Sequence, residues 1–266
     1  MKIITEKSKN FKSSYQNLIR DRMGEVPKNI DSKVKKIIQN VRKFGDDSLI
    51  KSVKRYDKTI ISKSQLLVSS KIINYYANQV DKKILKSFEV AISRVHKYHK
   101  KQFPKNYTIR KKGINLSQRW LPVDSVGLYV PGGKASYPSS LIMNIVPALI
   151  AGVKRIVVVT PAQKGTFNPY VMALLKIFNI KEVYQIGGAH AIAALAYGTK
   201  KIIPVNKIFG PGNIYVSSAK KQVFGRVGID IIAGPSEIIV VADKNNDPNW
   251  IASDLIAQAE HDEKAQ

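Results

Sequence analysis

Cysteine is absent from the 266 residues, which removes disulfides, thiolate metal sites and thiol nucleophiles from the available chemistry. Acidic residues are scarce, with 19 Asp and Glu against 44 Lys and Arg and a formal charge of +25. No apolar run approaches the length of a membrane-spanning helix, and the opening MKIITEKSKNFK lacks the apolar stretch of a secretory signal. These absences suggest a cytoplasmic protein. The G-x-G-x-x-G and G-x-x-x-x-G-K-[ST] fingerprints are also missing, so neither the usual dinucleotide turn nor a P-loop names a ligand.

What is present is a globular composition. Apolar residues make up 44% and aromatics 8%, enough to bury a core in one large or two small domains. The charge is unevenly spread. Residues 1–120 hold 30 Lys and Arg against 9 Asp and Glu, whereas residues 121–266 hold 14 against 10. The lysines of the first part are scattered over helical outer faces, as in DSKVKKIIQNVRKF, with no arginine patch interleaved with aromatics. That pattern reads as a solvated basic surface, with nucleic-acid binding as the lesser alternative.

The first 120 residues read as helical. Val34, Ile37, Ile38, Val41 and Phe44 recur at helical spacing in Asp31–Phe44, with Asp31 as the expected N-cap and Gly45 as the stop. Asp81–Lys101 repeats the pattern and ends before Pro104. Within it His96 and His99 lie three apart, but the flanking lysines disfavour a bound cation. Near Trp120 the texture changes to short β-rich runs alternating with helical stretches of small residues. The strand candidates are Ser125–Val130, Arg155–Thr160, Glu182–Ile186, Lys207–Phe209, Ile229–Ala233 and Glu237–Ala242. The helices between them are Ser139–Ala151, Asn168–Phe178, Ala189–Tyr197, Asn213–Phe224 and Pro248–Gln258. This alternation predicts an α/β fold with a parallel sheet covered by helices.

Ligands of such sheets gather at the carboxyl ends of the strands. Four glycine turns, VPGGK, IGGAH, FGPGN and AGPSE, each follow a strand candidate and would sit at that end. Near the end of the sequence, Gln258 and His261 share a helix face at i and i+3. Their chemistry allows two metal ligands or an ordinary polar helix end, and two ligands alone do not close a zinc site.

The run VGLYVPGGKASYPSSLIMNIVPALIAGVKRIVVVTP, then QIGGAHAIAALAYGT, VNKIFGPGNIYVSSAKKQV, IDIIAGPSEIIVVAD and ASDLIAQAEHD, resembles histidinol dehydrogenase across residues 125–266. The resemblance implies NAD-dependent oxidation of L-histidinol through histidinal to L-histidine by a zinc-containing homodimer. It implies incomplete Rossmann-like sheets preceded by a helical segment. It also implies a division into an arm (1–25), an outer domain (26–128 with 237–266) and an inserted domain (129–236). By position, Tyr129 and Asn213 fall where the family contacts NAD, Ser236 where it contacts substrate, and Gln258 and His261 where it holds zinc and substrate. His190 stands where the family usually has a glutamine that contacts the dinucleotide. The family's Glu-His general base and its remaining zinc ligands fall beyond Gln266. The expectation is therefore a partial enzyme without its proton-transfer base, with a non-catalytic remnant as the alternative.

Overall fold

The computed structural model describes residues 5–22, 26–132, 138–232 and 238–259. These fall into two compact units, Lys28–Ile231 and a second made of Met1–Pro27 with Ile232–Gln266.

The core of the first unit is a five-stranded parallel sheet of β3 (Ser125–Tyr129), β4 (Arg155–Val159), β5 (Glu182–Tyr184), β6 (Lys207–Phe209) and β7 (Gly228–Ile229). Both faces are covered, so the central strands are continuous apolar runs rather than alternating ones. Val157, Val158 and Val159 are all fully buried. The spatial order is β5-β4-β3-β6-β7, with every pairing parallel. The chain steps outward from β3 to β5, then returns to the other side of β3 and steps outward again. This reversal opens a crevice at the carboxyl ends of β3 and β6, where an open α/β sheet takes its ligand.

Helices α6 (Pro138–Ala151), α7 (Pro169–Ile177), α8 (Gly188–Tyr197) and α9 (Ile214–Val223) connect the strands. One sheet face packs against α8 and α9, with Val34, Ile38 and Val41 of α2 (Lys28–Phe44) and Leu49 of α3 (Asp46–Ser52) closing the same core. On the other face, α6 and α7 are joined by side chains of α4 (Ser70–Ala77) and α5 (Lys82–Lys100). The N-terminal helices of this unit are thus divided between the two sides of the sheet.

Three details differ from the sequence reading. Helix α2 begins at Lys28, so Asp31 is not its N-cap. Asp31 Oδ1 instead accepts hydrogen bonds from Ser218 Oγ and Gln222 Nε2, both at 2.9 Å, and ties α2 to α9. The first 120 residues are not wholly helical, because β1 (Tyr107–Lys111) and β2 (Ile114–Gln118) form an antiparallel hairpin. Neither of its faces is covered, so no buried stripe marked it in the sequence. Residues 238–242 of the last strand candidate are in no strand. Among the boundaries that held is Asp81, whose side chain caps α5 by accepting from the Lys83 N–H at 2.6 Å. Helix α3 runs without a break into a π-helical turn, Val53–Asp57.

The second unit contains α1 (Phe11–Arg22) and α10 (Pro248–Ala259). No described helix is long and apolar enough to cross a membrane.

Candidate functional site

At the end of β3, Tyr129 is almost wholly buried, and its hydroxyl accepts a hydrogen bond from the Gly188 N–H at 3.1 Å. This bond joins the strand end to the first turn of α8. Burial pushes the phenol pKa up, so the group stays neutral at physiological pH.

The turn after β6 is fixed more heavily. Gly210 adopts φ +117°, and a Cβ there would meet the Tyr129 carbonyl oxygen at 2.2 Å. Only glycine fits this approach. Its N–H donates to Asp230 Oδ2 at 2.8 Å, and its carbonyl accepts from Lys220 Nζ at 2.6 Å. Lys220, itself buried, closes the clamp with a 2.5 Å ion pair to Asp230 Oδ1. Three residues on, Asn213 caps α9, its Oδ1 accepting from the Tyr215 and Val216 N–H groups at 3.1 and 3.2 Å. The carbonyl side of this amide is thereby committed to the backbone, while its NH₂ has no hydrogen-bond partner among the described residues.

Opposite these turns stands a helical wall. Lys33, Lys36, Ile37 and Asn40 of α2 follow i, i+3, i+4, i+7 spacing, and all four line the same cleft. The π-helical turn contributes Arg55, Tyr56 and Asp57. The cleft encloses about 670 Å³. It brings together Tyr129, His190 and Asn213, three of the residues singled out in the sequence.

His190 sits in the first turn of α8, 9% exposed, with its ring 5.5 Å from that of Tyr56. Burial and the nearby Arg55 lower its pKa to about 4. The imidazole is therefore neutral at pH 7, with one N–H donor and one acceptor nitrogen. Asp57 moves the other way, since half-burial pushes its carboxyl up to about 6.

Comparison with known proteins says what this architecture belongs to. The sequence profile described as Histidinol dehydrogenase matches residues 20–266. The chain belongs to the histidinol dehydrogenase family. It is 50% identical over 243 residues to the histidinol dehydrogenase of Agrobacterium fabrum, covering 91% of this chain and 56% of that protein. It is also 50% identical over 268 residues to that of Pelagibacter ubique, covering 100% of this chain and 61% of that one. Among solved structures, the crystal structure of histidinol dehydrogenase from Elizabethkingia anophelis matches with a TM-score of 0.85 at 34% identity, over 94% of this chain and 57% of that chain. The chain thus spans between half and two thirds of the length of these relatives.

The remaining sequence-predicted residues are not in the cleft. Ser236 and His261 lie outside the described residues. Gln258 is in the last turn of α10, and its Nε2 is buried without a hydrogen-bond partner among the described residues. On α5, His96 is exposed, while His99 packs edge-on against Tyr98 at 5.2 Å. The described residues contain no group of three or more His, Asp or Glu able to hold a metal ion.

Two sets of site residues were not found from the sequence. Arg55, Tyr56 and Asp57 sit far from the glycine turns in the chain, and their only local signal is one acid inside the cationic run KRYDK. The Lys220–Asp230 clamp left as its trace a lysine on the otherwise small-residue face of α9.

Proposed function

We propose that this chain supplies the dinucleotide-holding part of an NAD-dependent oxidoreductase that converts L-histidinol through histidinal to L-histidine. The observation that supports this reading best is the convergence of Tyr129, His190 and Asn213 on one cleft at the sheet reversal. The strand order, read from β3 as first strand, is third, second, first, fourth, fifth, which is the order of the first five strands of a Rossmann sheet.

NAD, when bound, accepts the hydride removed from the substrate carbon. This chain's own groups would bind and orient it. The Asn213 NH₂ donates to a ligand acceptor, and the neutral His190 ring offers a donor in place of the family's glutamine. Tyr129 holds the α8 turn against the strand end, and Lys33, Lys36 and Arg55 offset the negative charge of the pyrophosphate. None of these residues removes the alcohol proton.

Zinc is a different case. A zinc site takes at least three protein ligands. Gln258 offers a single neutral carbonyl, His261 is its one expected companion, and no acidic or histidine cluster joins them among the described residues. In the proposal Gln258 and His261 would supply two of the ligands, and zinc held there would polarise the substrate oxygen. By position in the family pattern, Ser236, Gln258 and His261 enter the proposal as substrate contacts. Homodimer formation and the grouping of 26–128 with 237–266 around an inserted 129–236 belong to the same proposal.

The test is to purify residues 1–266, titrate NAD by calorimetry, and assay NADH formation from histidinol. The expected result is saturable NAD binding that is weakened at least about fivefold in His190→Leu but not in His190→Gln. No turnover and no tight zinc are expected from this polypeptide alone. Absence of NAD binding would overturn the cleft assignment, and turnover would overturn the assignment of the proton-transfer base to other residues.

A further inference from the structure

We infer that Asp57, beside the paired rings of Tyr56 and His190, receives the hydroxyls of the adenosine ribose and makes the cleft select NAD over NADP. The inference rests on reading the cleft as a dinucleotide site.

The backbone of Asp57 is anchored. Its carbonyl accepts from the Lys164 N–H at 3.0 Å and from Thr59 Oγ1 at 3.1 Å. Thr59 Oγ1 also receives the Gly165 N–H at 2.8 Å, which laces the segment to the loop after β4. The carboxylate itself lines the cleft, half-buried, with no hydrogen bond or ion pair among the described residues. Its charge reaches the Tyr129 hydroxyl closely enough to raise that phenol's pKa. A partly desolvated carboxylate without a donor is a cost that an incoming ligand can offset by supplying one.

The ligand's inventory narrows the match. A dinucleotide offers donors only at its ribose hydroxyls and its two amino groups. Its phosphates are acceptors, and they suit the cations Lys33 and Lys36 of α2 and Arg55 of the π-helical turn. The Tyr56 and His190 rings, 5.5 Å apart and tilted by 44°, form a face on which a base can lie. With the base there, the attached ribose falls to the adjoining Asp57. A carboxylate taking the 2′-hydroxyl meets a 2′-phosphate as a like charge, which is how an acidic residue separates the two cofactors in dinucleotide folds.

The pH dependence is specific to this group. Asp57 titrates near 6, whereas His190, the titratable group of α8, does so near 4. The other charged or titratable groups facing the cleft are Lys33 and Lys36 of α2, Arg55 and Tyr56 of the same turn, Tyr129 of β3 and Tyr215 of α9. Of Asp57 and His190, it is Asp57 whose value falls between pH 5 and pH 8.

The experiment is titration of the 1–266 polypeptide with NAD and with NADP at pH 8 and pH 5. The expected results are a preference for NAD of about tenfold or more at pH 8, and a loss of NAD affinity of about tenfold at pH 5. In Asp57→Asn the preference collapses to within about threefold and the pH effect disappears. An unchanged preference in Asp57→Asn overturns the inference while leaving the cleft assignment intact. Should that variant fail to fold, the wild-type chain decides, because equal affinity for NADP or a flat pH profile overturns it. Failure of both dinucleotides to bind overturns the cleft assignment itself.

Discussion

On the strand side of the cleft the polar groups are committed. Tyr129 Oη is bonded to Gly188, both polar groups of Gly210 are held by the Lys220–Asp230 pair, and the Asn213 carbonyl caps α9. On the helical side, Lys33, Lys36, Arg55 and Asp57 face the same space without an ion pair among the described residues. The first wall gains stability from its own satisfaction. The second holds charge that becomes useful only when something enters. Rigidity and recognition are thus assigned to different elements, and each can be tested separately.

The largest expected effect is on the strand wall. Gly210→Ala forces a side chain into the Tyr129 carbonyl at a positive φ and should cost about 4 kcal/mol or more, measured by urea unfolding. Lys220→Met comes next, at about 3 kcal/mol, because it leaves Asp230 charged and without its partner. A Lys220→Met, Asp230→Asn double variant should recover part of that loss. If instead it costs the sum of the two single changes, the clamp is not a coupled unit.

Third in size is the effect of acid. His190 has a folded-state pKa near 4, below its unfolded value of 6.5. Its contribution is therefore fully present above pH 6.5 and is lost as pH falls toward 4, by roughly 3 kcal/mol. His190→Gln should flatten that part of the pH–stability curve. Asp57 has the opposite sign. Its raised pKa favours the folded state below 3.8, and this advantage is lost as pH rises through about 6. Asp57→Asn should accordingly raise the melting temperature at pH 8 and leave it unchanged at pH 3. Smallest of all, Lys33→Ala and Lys36→Ala should change stability by less than about 0.5 kcal/mol. They should still weaken NAD binding a few-fold at low salt and less at high salt.

Much of the sheet was legible in advance because it is buried on both faces. Ser125–Tyr129 and Arg155–Val159 are apolar runs ending in glycine or proline turns, and they fold where those signals put them. The β1–β2 hairpin was not legible, since neither face meets a core that would imprint a pattern on it. Asp31 looked like a cap because caps are local, but its partners are Ser218 and Gln222 on α9, which only the fold brings near. The same limit applied to the site. Tyr129, His190 and Asn213 lie beside glycine turns, and Tyr129 and Asn213 match a family pattern, whereas Arg55, Tyr56 and Asp57 reach the cleft by long-range packing. Their π-helical turn also departs from the 3.6-residue period on which helical faces are read.

That turn has a consequence at the level of chain length. A π turn closes its hydrogen bonds at i→i+5, so it carries one residue more than the α turn in its place. Deleting Lys54, the residue of Val53–Asp57 that does not line the cleft, would let α3 run on in ordinary register. Each following position would then rotate by about 100° around the helix axis. Asp57 would swing off the cleft although no residue facing the ligand had been exchanged. Two chains with the same cleft residues, differing by one codon here, would thus line the same cleft with walls of unlike charge.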